Sequence, residues 1–160
     1  MKKEVIISGF GGQGVLSLGK ILAYSGLMDG KEVTWMPAYG PEQRGGTANC
    51  TVIVSDERIA SPVLSHYDIA IVLKPPSLDK FPPTRTDITC YKIAAMEKAA
   101  EMKNAKVFNM IVLGALLKVC PIVTTEGLEK ALHKTLPSRY HHLLPLNMQA
   151  VAEGMTLVGE

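Results

Sequence analysis

Two glycine-rich stretches hold the residues best placed to do chemistry in this 160-residue chain. The first is SGFGGQG, Ser8–Gly14. Gly9, Gly11 and Gly14 fit the G-x-G-x-x-G spacing, with Gly12 and Gln13 inside it. An apolar run precedes it and a helix start follows. A strand, a tight turn and a helix N-terminus present unpaired backbone N–H groups at the positive end of the helix dipole, which suits an anion. The same spacing opens dinucleotide folds, where an acid about 20 residues on holds the ribose hydroxyls. The second strand here ends TWMPAYG, without an acid, and Asp29 and Glu32 precede or begin that strand. A phosphate-bearing or other anion therefore suits the turn better than NAD. A turn that serves the fold alone is the alternative.

The second stretch is PAYGPEQRGGTANC, Pro37–Cys50. Pro37 and Pro41 stiffen it, and Gly40, Gly45 and Gly46 permit unusual backbone angles. Tyr39, Glu42 and Arg44 stand among them. If the first two strands are parallel neighbours, both loops leave the carboxyl edge of the sheet, where α/β proteins bind ligands. Arg44 can then meet a carboxylate or phosphate through two N–H groups. The competing reading is a surface loop with solvated Glu42 and Arg44.

The elements that must position these loops alternate in type. EVIIS (Glu4–Ser8) reads as a buried strand, and residues Gly12 to about Gly26 as a helix with Gly26 and Gly30 as stop signals. KEVTWMP reads as a strand ended by Pro37, ANCTVIVS (Ala48–Ser55) as another, and ERIASP as a short return strand. YDIAIVL (Tyr67–Leu73) and DITCYKI (Asp87–Ile93) complete the strand signals. AAMEKAAEM, FNMIVLGALLKV, TTEGLEKALHKTL and LNMQAVAEGMTLV read as helices, the second buried all round and the third capped by Thr124 or Thr125. The pattern predicts one α/β domain over residues 1–160, a three-layer α/β/α sandwich with a Rossmann-like first β-loop-α unit. Its sheet is expected to be mostly parallel, with antiparallel pairing admitted around Ala48–Ser61.

Composition excludes several function classes. A formal charge of +2 with scattered Lys and Arg argues against nucleic-acid and membrane partners. No apolar run spans a bilayer, and the chain reads as cytoplasmic. Cys50, Cys90 and Cys120 lie too far apart for a cluster or zinc ribbon held by this chain, so no metal ligands are assigned. No paired carboxylates or Ser-His-Asp order suggests independent hydrolysis, and no residue is assigned a catalytic role.

GFGGQGVLSLGKILA, AYGPEQRGGTANCTVIVSDERIASP, YDIAIVL and NMIVLGALL, with Asn147, Ala150 and Gly154, carry a resemblance over nearly the whole chain. It resembles the gamma subunit, or gamma domain, of 2-oxoacid:ferredoxin oxidoreductases. The family usually has a glycine turn and a further strand between LDKFPP and TRTDITCY, where Pro83 meets Thr84 directly in this chain.

The resemblance implies oxidative decarboxylation of pyruvate, 2-oxoglutarate or a branched-chain 2-oxoacid to an acyl-CoA. Thiamine diphosphate, magnesium and iron–sulfur clusters are then expected on alpha, beta and, in many members, delta subunits. Electrons leave to ferredoxin or flavodoxin, and CoA is the co-substrate. This chain is expected to hold none of those cofactors, to be inactive in isolation, and to expose an apolar patch or hide it in a homodimer. Gly9, Gly11, Gly12, Gln13, Gly14, Tyr39, Gly40, Glu42, Arg44, Gly45 and Gly46 are expected to contact a ligand or a partner chain. WMPAYGPEQRGG leans the substrate toward 2-oxoglutarate or a branched-chain 2-oxoacid. A free-standing CoA- or nucleotide-binding module and an NAD(P)-binding enzyme are the alternatives.

Overall fold

The structure is a computed structural model and describes residues 1–10, 14–39, 47–64, 66–73 and 93–158. Among the described residues the sheet has four strands, β1 (Lys2–Phe10), β2 (Glu32–Tyr39), β3 (Thr47–Ser55) and β4 (Ile69–Val72), in the order β2-β3-β1-β4. The helices are α1 (Val15–Met28), α2 (Ala95–Glu101), α3 (Phe108–Val119), α4 (Thr125–Thr135) and α5 (Leu144–Thr156). Short 3-10 turns lead into α3 and α5. No helix among the described residues is long and apolar enough to cross a membrane.

The sheet is mixed, and the antiparallel pairing admitted around Ala48–Ser61 is made by β3 and outweighs the parallel pairing. β3 runs antiparallel to β1 on one side and to β2 on the other, and only β4 is parallel to β1. A short connection explains this, because β2 and β3 are joined by too few residues for a parallel crossover. β2 also continues through Pro37 to Tyr39 instead of stopping there. Among the described residues it is an edge strand, where proline is tolerated. Trp35 and Met36 stand exposed on this edge strand. ERIASP forms bends and no strand, while all but the last residue of DITCYKI lies outside the described residues.

One face of the sheet meets the helices. Val5 and Ile7 of β1 and Ala48, Cys50, Val52 and Val54 of β3 join a single apolar cluster with residues of all five helices. These strand residues alternate along their strands, so they share a face. Ile6 and Ile53 are buried on the opposite face and stand outside that cluster. Among the described residues the helices therefore gather on one face of the sheet. The second helical layer expected from the sequence is not seen there.

Helix ends follow local chemistry. Gly26 lies inside α1 and is not a stop; the helix ends beyond it in a Schellman turn. Gly30, at φ 75°, donates to the Leu27 carbonyl, and Lys31 donates to the Gly26 carbonyl. Thr124 caps α4 by accepting from the Gly127 N–H at 2.9 Å. Its own N–H and hydroxyl both donate to the Asp29 carboxylate at 2.6 Å, which ties the end of α1 to the start of α4.

α3 and α5 cross with their backbones in contact. A Cβ on Gly114 would overlap the Val151 carbonyl, and one on Gly154 would overlap the Ile111 carbonyl. Gly154→Ala is expected to destabilise the chain by about 1–3 kcal/mol through this overlap, despite the ~1 kcal/mol that alanine gains in helix propensity. Urea unfolding midpoints check this, and an unchanged midpoint contradicts it.

At one edge of the sheet Asp56 follows β3 and pairs with Lys31 and with the Met1 ammonium. Hydrogen bonding from Lys31, then from the ammonium, lowers its carboxyl to about 2. A carboxylate depressed in the folded state adds stability above its unfolded value and loses it as pH falls through the folded one. The Asp56 contribution should therefore be full above pH 4 and fade between about 4 and 2. Comparing the acid unfolding of the chain with that of Asp56→Asn tests this: the two curves should converge below pH 2.

Candidate functional site at the carboxyl edge of the sheet

The register of β3 places both glycine-rich stretches at one edge. Gly9 of β1 and Tyr39 of β2 both pair with Ala48 of β3. β3 is antiparallel to each, so β1 and β2 run in the same direction with β3 between them. They are parallel but not neighbours, about 10 Å apart across two strand spacings. The strand ends from which the two loops start lie at one edge as expected, although the adjacency behind that expectation does not hold. The carboxyl end of β4 lies at this edge as well, with Val72 beside Ser8.

Of the residues singled out in the sequence, Gly9 is buried at the end of β1 and Tyr39 closes β2. Gly14 precedes α1 with φ 74° and ψ 25°, a left-handed conformation that glycine adopts without strain. Gly11, Gly12, Gln13, Gly40, Glu42, Arg44, Gly45 and Gly46 lie outside the described residues. Asp29 and Glu32 sit at the opposite end of β2, and Asp29 is engaged by Thr124. The neighbours of β1 are β3 and β4, so the end of β2 does not stand beside the turn as in a dinucleotide fold.

The described wall of the site comes from the helical half of the chain. A cleft of about 370 Å³ is lined by Gly14, Met96, Ala99, Ala105, Lys106, Phe108 and Asn109. Lys106 adds an exposed cation, Met96 and Phe108 add apolar surface, and the Asn109 amide donates to the Gly14 carbonyl at 3.3 Å. Apart from Gly14, none of these residues was singled out in the sequence as a site residue, and FNMIVLGALLKV reads there as a buried helix. The available signal was Asn109 itself, the one polar side chain in that run before Lys118.

Cys50 belongs to the core and not to the site. Burial pushes its thiol up to about 11, against hydrogen bonding that involves Trp35 and the Gly19 backbone. The thiol donates to the Val15 carbonyl at 3.6 Å. Such a thiol is a small hydrophobe rather than a nucleophile.

His141 and His142 lie in the 3-10 turn before α5. The His141 Nε2 pairs with the Leu136 carbonyl, and its ring stands 4.3 Å from that of His133. Among the described residues no group of three or more His, Cys, Asp or Glu is placed to hold a metal ion.

Comparison with known proteins follows the same residues. The model of the family described as pyruvate ferredoxin/flavodoxin oxidoreductase matches residues 4–87 and 79–157. The 2-oxoglutarate synthase subunit KorC of Methanocaldococcus jannaschii is 35% identical over 159 residues, covering 86% of this chain and 85% of that protein. The ketoisovalerate oxidoreductase subunit VorA of Methanothermobacter thermautotrophicus is 38% identical over 131 residues. That match takes in 71% of this chain but only 28% of VorA, so the chain corresponds to a minor part of that relative. The 2-oxoglutarate:ferredoxin oxidoreductase of Magnetococcus marinus, solved with 2-oxoglutarate, coenzyme A and succinyl-CoA bound, shares the fold. Its TM-score is 0.83 at 21% identity, covering 98% of this chain and 31% of that one.

Gly14→Ala is expected to lower stability by about 1–3 kcal/mol. The left-handed backbone costs an L-residue about 1–2 kcal/mol, and the new Cβ overlaps the Asn109 amide. The double variant Gly14→Ala/Asn109→Ala should be less destabilised than the sum of the two single changes, because removing the amide relieves the overlap. Strict additivity in a denaturant series would show that the two residues do not meet.

Proposed function

Because the chain belongs to the pyruvate ferredoxin/flavodoxin oxidoreductase family, we propose that it is the gamma-type subunit of a 2-oxoacid:ferredoxin oxidoreductase. The complex converts a 2-oxoacid to an acyl-CoA. Thiamine diphosphate and iron–sulfur clusters supply the decarboxylation and electron-transfer chemistry from alpha, beta or delta subunits. This chain contributes the edge formed by the two glycine loops, and that edge receives the phosphate part of CoA. Ferredoxin or flavodoxin takes the electrons from the assembled enzyme. The complex works in the cytoplasm, and its 2-oxoacid is 2-oxoglutarate or a branched-chain acid.

The observation that supports this reading is the shared register on Ala48, which brings Gly9 and Tyr39, the described residues next to the two loops, to one edge near the left-handed Gly14. Backbone N–H groups at the start of α1 offer donors for phosphate oxygens. Arg44 on the second loop supplies the full charge that backbone groups lack. Lys106 adds another cation on the wall of the cleft. Met96 and Phe108 give apolar surface for the uncharged parts of the same ligand. KorC and VorA act in enzymes of 2-oxoglutarate and ketoisovalerate by name, which supports the substrate pair. CoA in the Magnetococcus enzyme of the same fold supports the ligand. The exposed Trp35 and Met36 on the β2 edge fit a chain that is covered by partners, or by a second copy in isolation.

The first test is purification of the chain from its native source under gentle conditions. Thiamine and iron should co-purify in fixed proportion with it, and a chain that purifies alone argues for the stand-alone binding module. The second test is Arg44→Ala in the assembled complex. Loss of a charge-assisted contact worth about 1.5–3 kcal/mol should raise the apparent KM for CoA by roughly one to two orders of magnitude. An assembled variant with unchanged CoA kinetics removes Arg44 from the ligand contact. A variant that fails to assemble makes this loop an interface element instead.

A further inference from the structure

We propose that Asn109 is the positioning residue of the glycine turn. Its side-chain amide ties the start of α3 to the carbonyl that opens α1, and so holds the Gly14 end of the turn in place for an anionic ligand. In its ligand part the proposal rests on the reading of the turn given above.

The contact spans the chain, since Asn109 and Gly14 are 95 residues apart in sequence. The Gly14 carbonyl accepts twice, from the Leu18 N–H at 2.9 Å and from the Asn109 Nδ2 at 3.3 Å. The first bond is the first intrahelical bond of α1. The second holds the same oxygen from outside the helix. Gly14 has no side chain with which to cap the helix, and no side-chain cap bond is made there. The Asn109 amide fills the space that a Cβ on Gly14 would need. The left-handed residue and the amide are therefore fitted to each other.

The other end of the amide points to a specific use of the donor. Asn109 Oδ1 is buried and has no hydrogen-bond partner among the described residues. An unpaired buried acceptor costs free energy, so a position that served packing alone would be better filled by an apolar side chain. Its neighbours Met110 and Ile111 are such residues, both buried. Reversing the amide would set Oδ1 against the Gly14 carbonyl, so the orientation follows from the contact. Asn109 also lines the cleft together with Gly14 and Lys106, so the strut stands at the site and not behind it.

The test uses the full chain and the assembled complex, each as Asn109→Asp and Asn109→Ala. Aspartate keeps the shape of the side chain and replaces the donor with a charged acceptor facing the Gly14 carbonyl. Amide hydrogen exchange at Leu18 reads the turn directly, because that N–H shares the held carbonyl. Exchange at Leu18 should quicken about tenfold in both variants while amides of residues 113–117 in α3 stay unchanged. In the complex the KM for CoA should rise about tenfold, with kcat within about twofold.

A role in packing alone predicts normal Leu18 exchange in Asn109→Asp, and that result overturns the proposal whatever the kinetics. Should Asn109→Asp fail to fold, unchanged Leu18 exchange in Asn109→Ala overturns it equally. Faster exchange with an unchanged CoA KM supports the strut and overturns the CoA assignment of the turn instead. The two ideas therefore fail separately.

Discussion

The pairing of β3 with both β1 and β2 is the constraint on which the rest depends. Antiparallel registers on its two sides force β1 and β2 into the same direction. Everything that follows their carboxyl ends then falls at one edge. Everything that precedes their amino ends falls at the other. The second edge is closed by charge and capping: Asp56 takes Lys31 and the Met1 ammonium, and Asp29 takes Thr124. At the first edge lie Gly9 of β1 and the end of β2 at Tyr39, with Gly14 opening α1. One edge is thus tied together by paired polar groups, and the candidate site lies at the other.

The helices do for the turn what β3 does for the strands. α1 rests on the sheet and opens at the left-handed Gly14. α3 and α5 approach until Gly114 and Gly154 meet carbonyls of the partner helix. That crossing buries Ile111 and Leu113 and sets the direction of the first turn of α3, where Asn109 stands. Close backbone packing tolerates few adjustments, because interiors are packed as densely as organic crystals. A side chain at the end of such a helix can therefore hold a distant carbonyl in a fixed place.

Residue types determined much of this protein without any coordinates. The β-branched run at Val5–Ile7, the apolar helix from Phe108 and the Thr124 cap all stand where the sequence puts them. Each rests on interactions among residues close in the chain. Gly14 likewise takes the left-handed backbone that a glycine at the end of such a turn allows. The family was legible too, because the two glycine motifs are specific in combination.

Contacts between distant residues were decided only by the tertiary structure. Strand periodicity is the same in either pairing direction, so nothing in ANCTVIVS says that it inserts antiparallel between β1 and β2. Pro37 ends a strand by local rules, and it is allowed in β2 because β2 is an edge. Gly26 looks like a helix stop, yet it lies within α1 against Val33 and Val54. Asn109 shows the difference most plainly. In sequence it is a lone amide in an apolar helix. In the fold it reaches a carbonyl 95 residues away, and its role comes from that approach. Spacing along a chain fixes which side chains share a face of one element, whereas packing between elements fixes what that face meets.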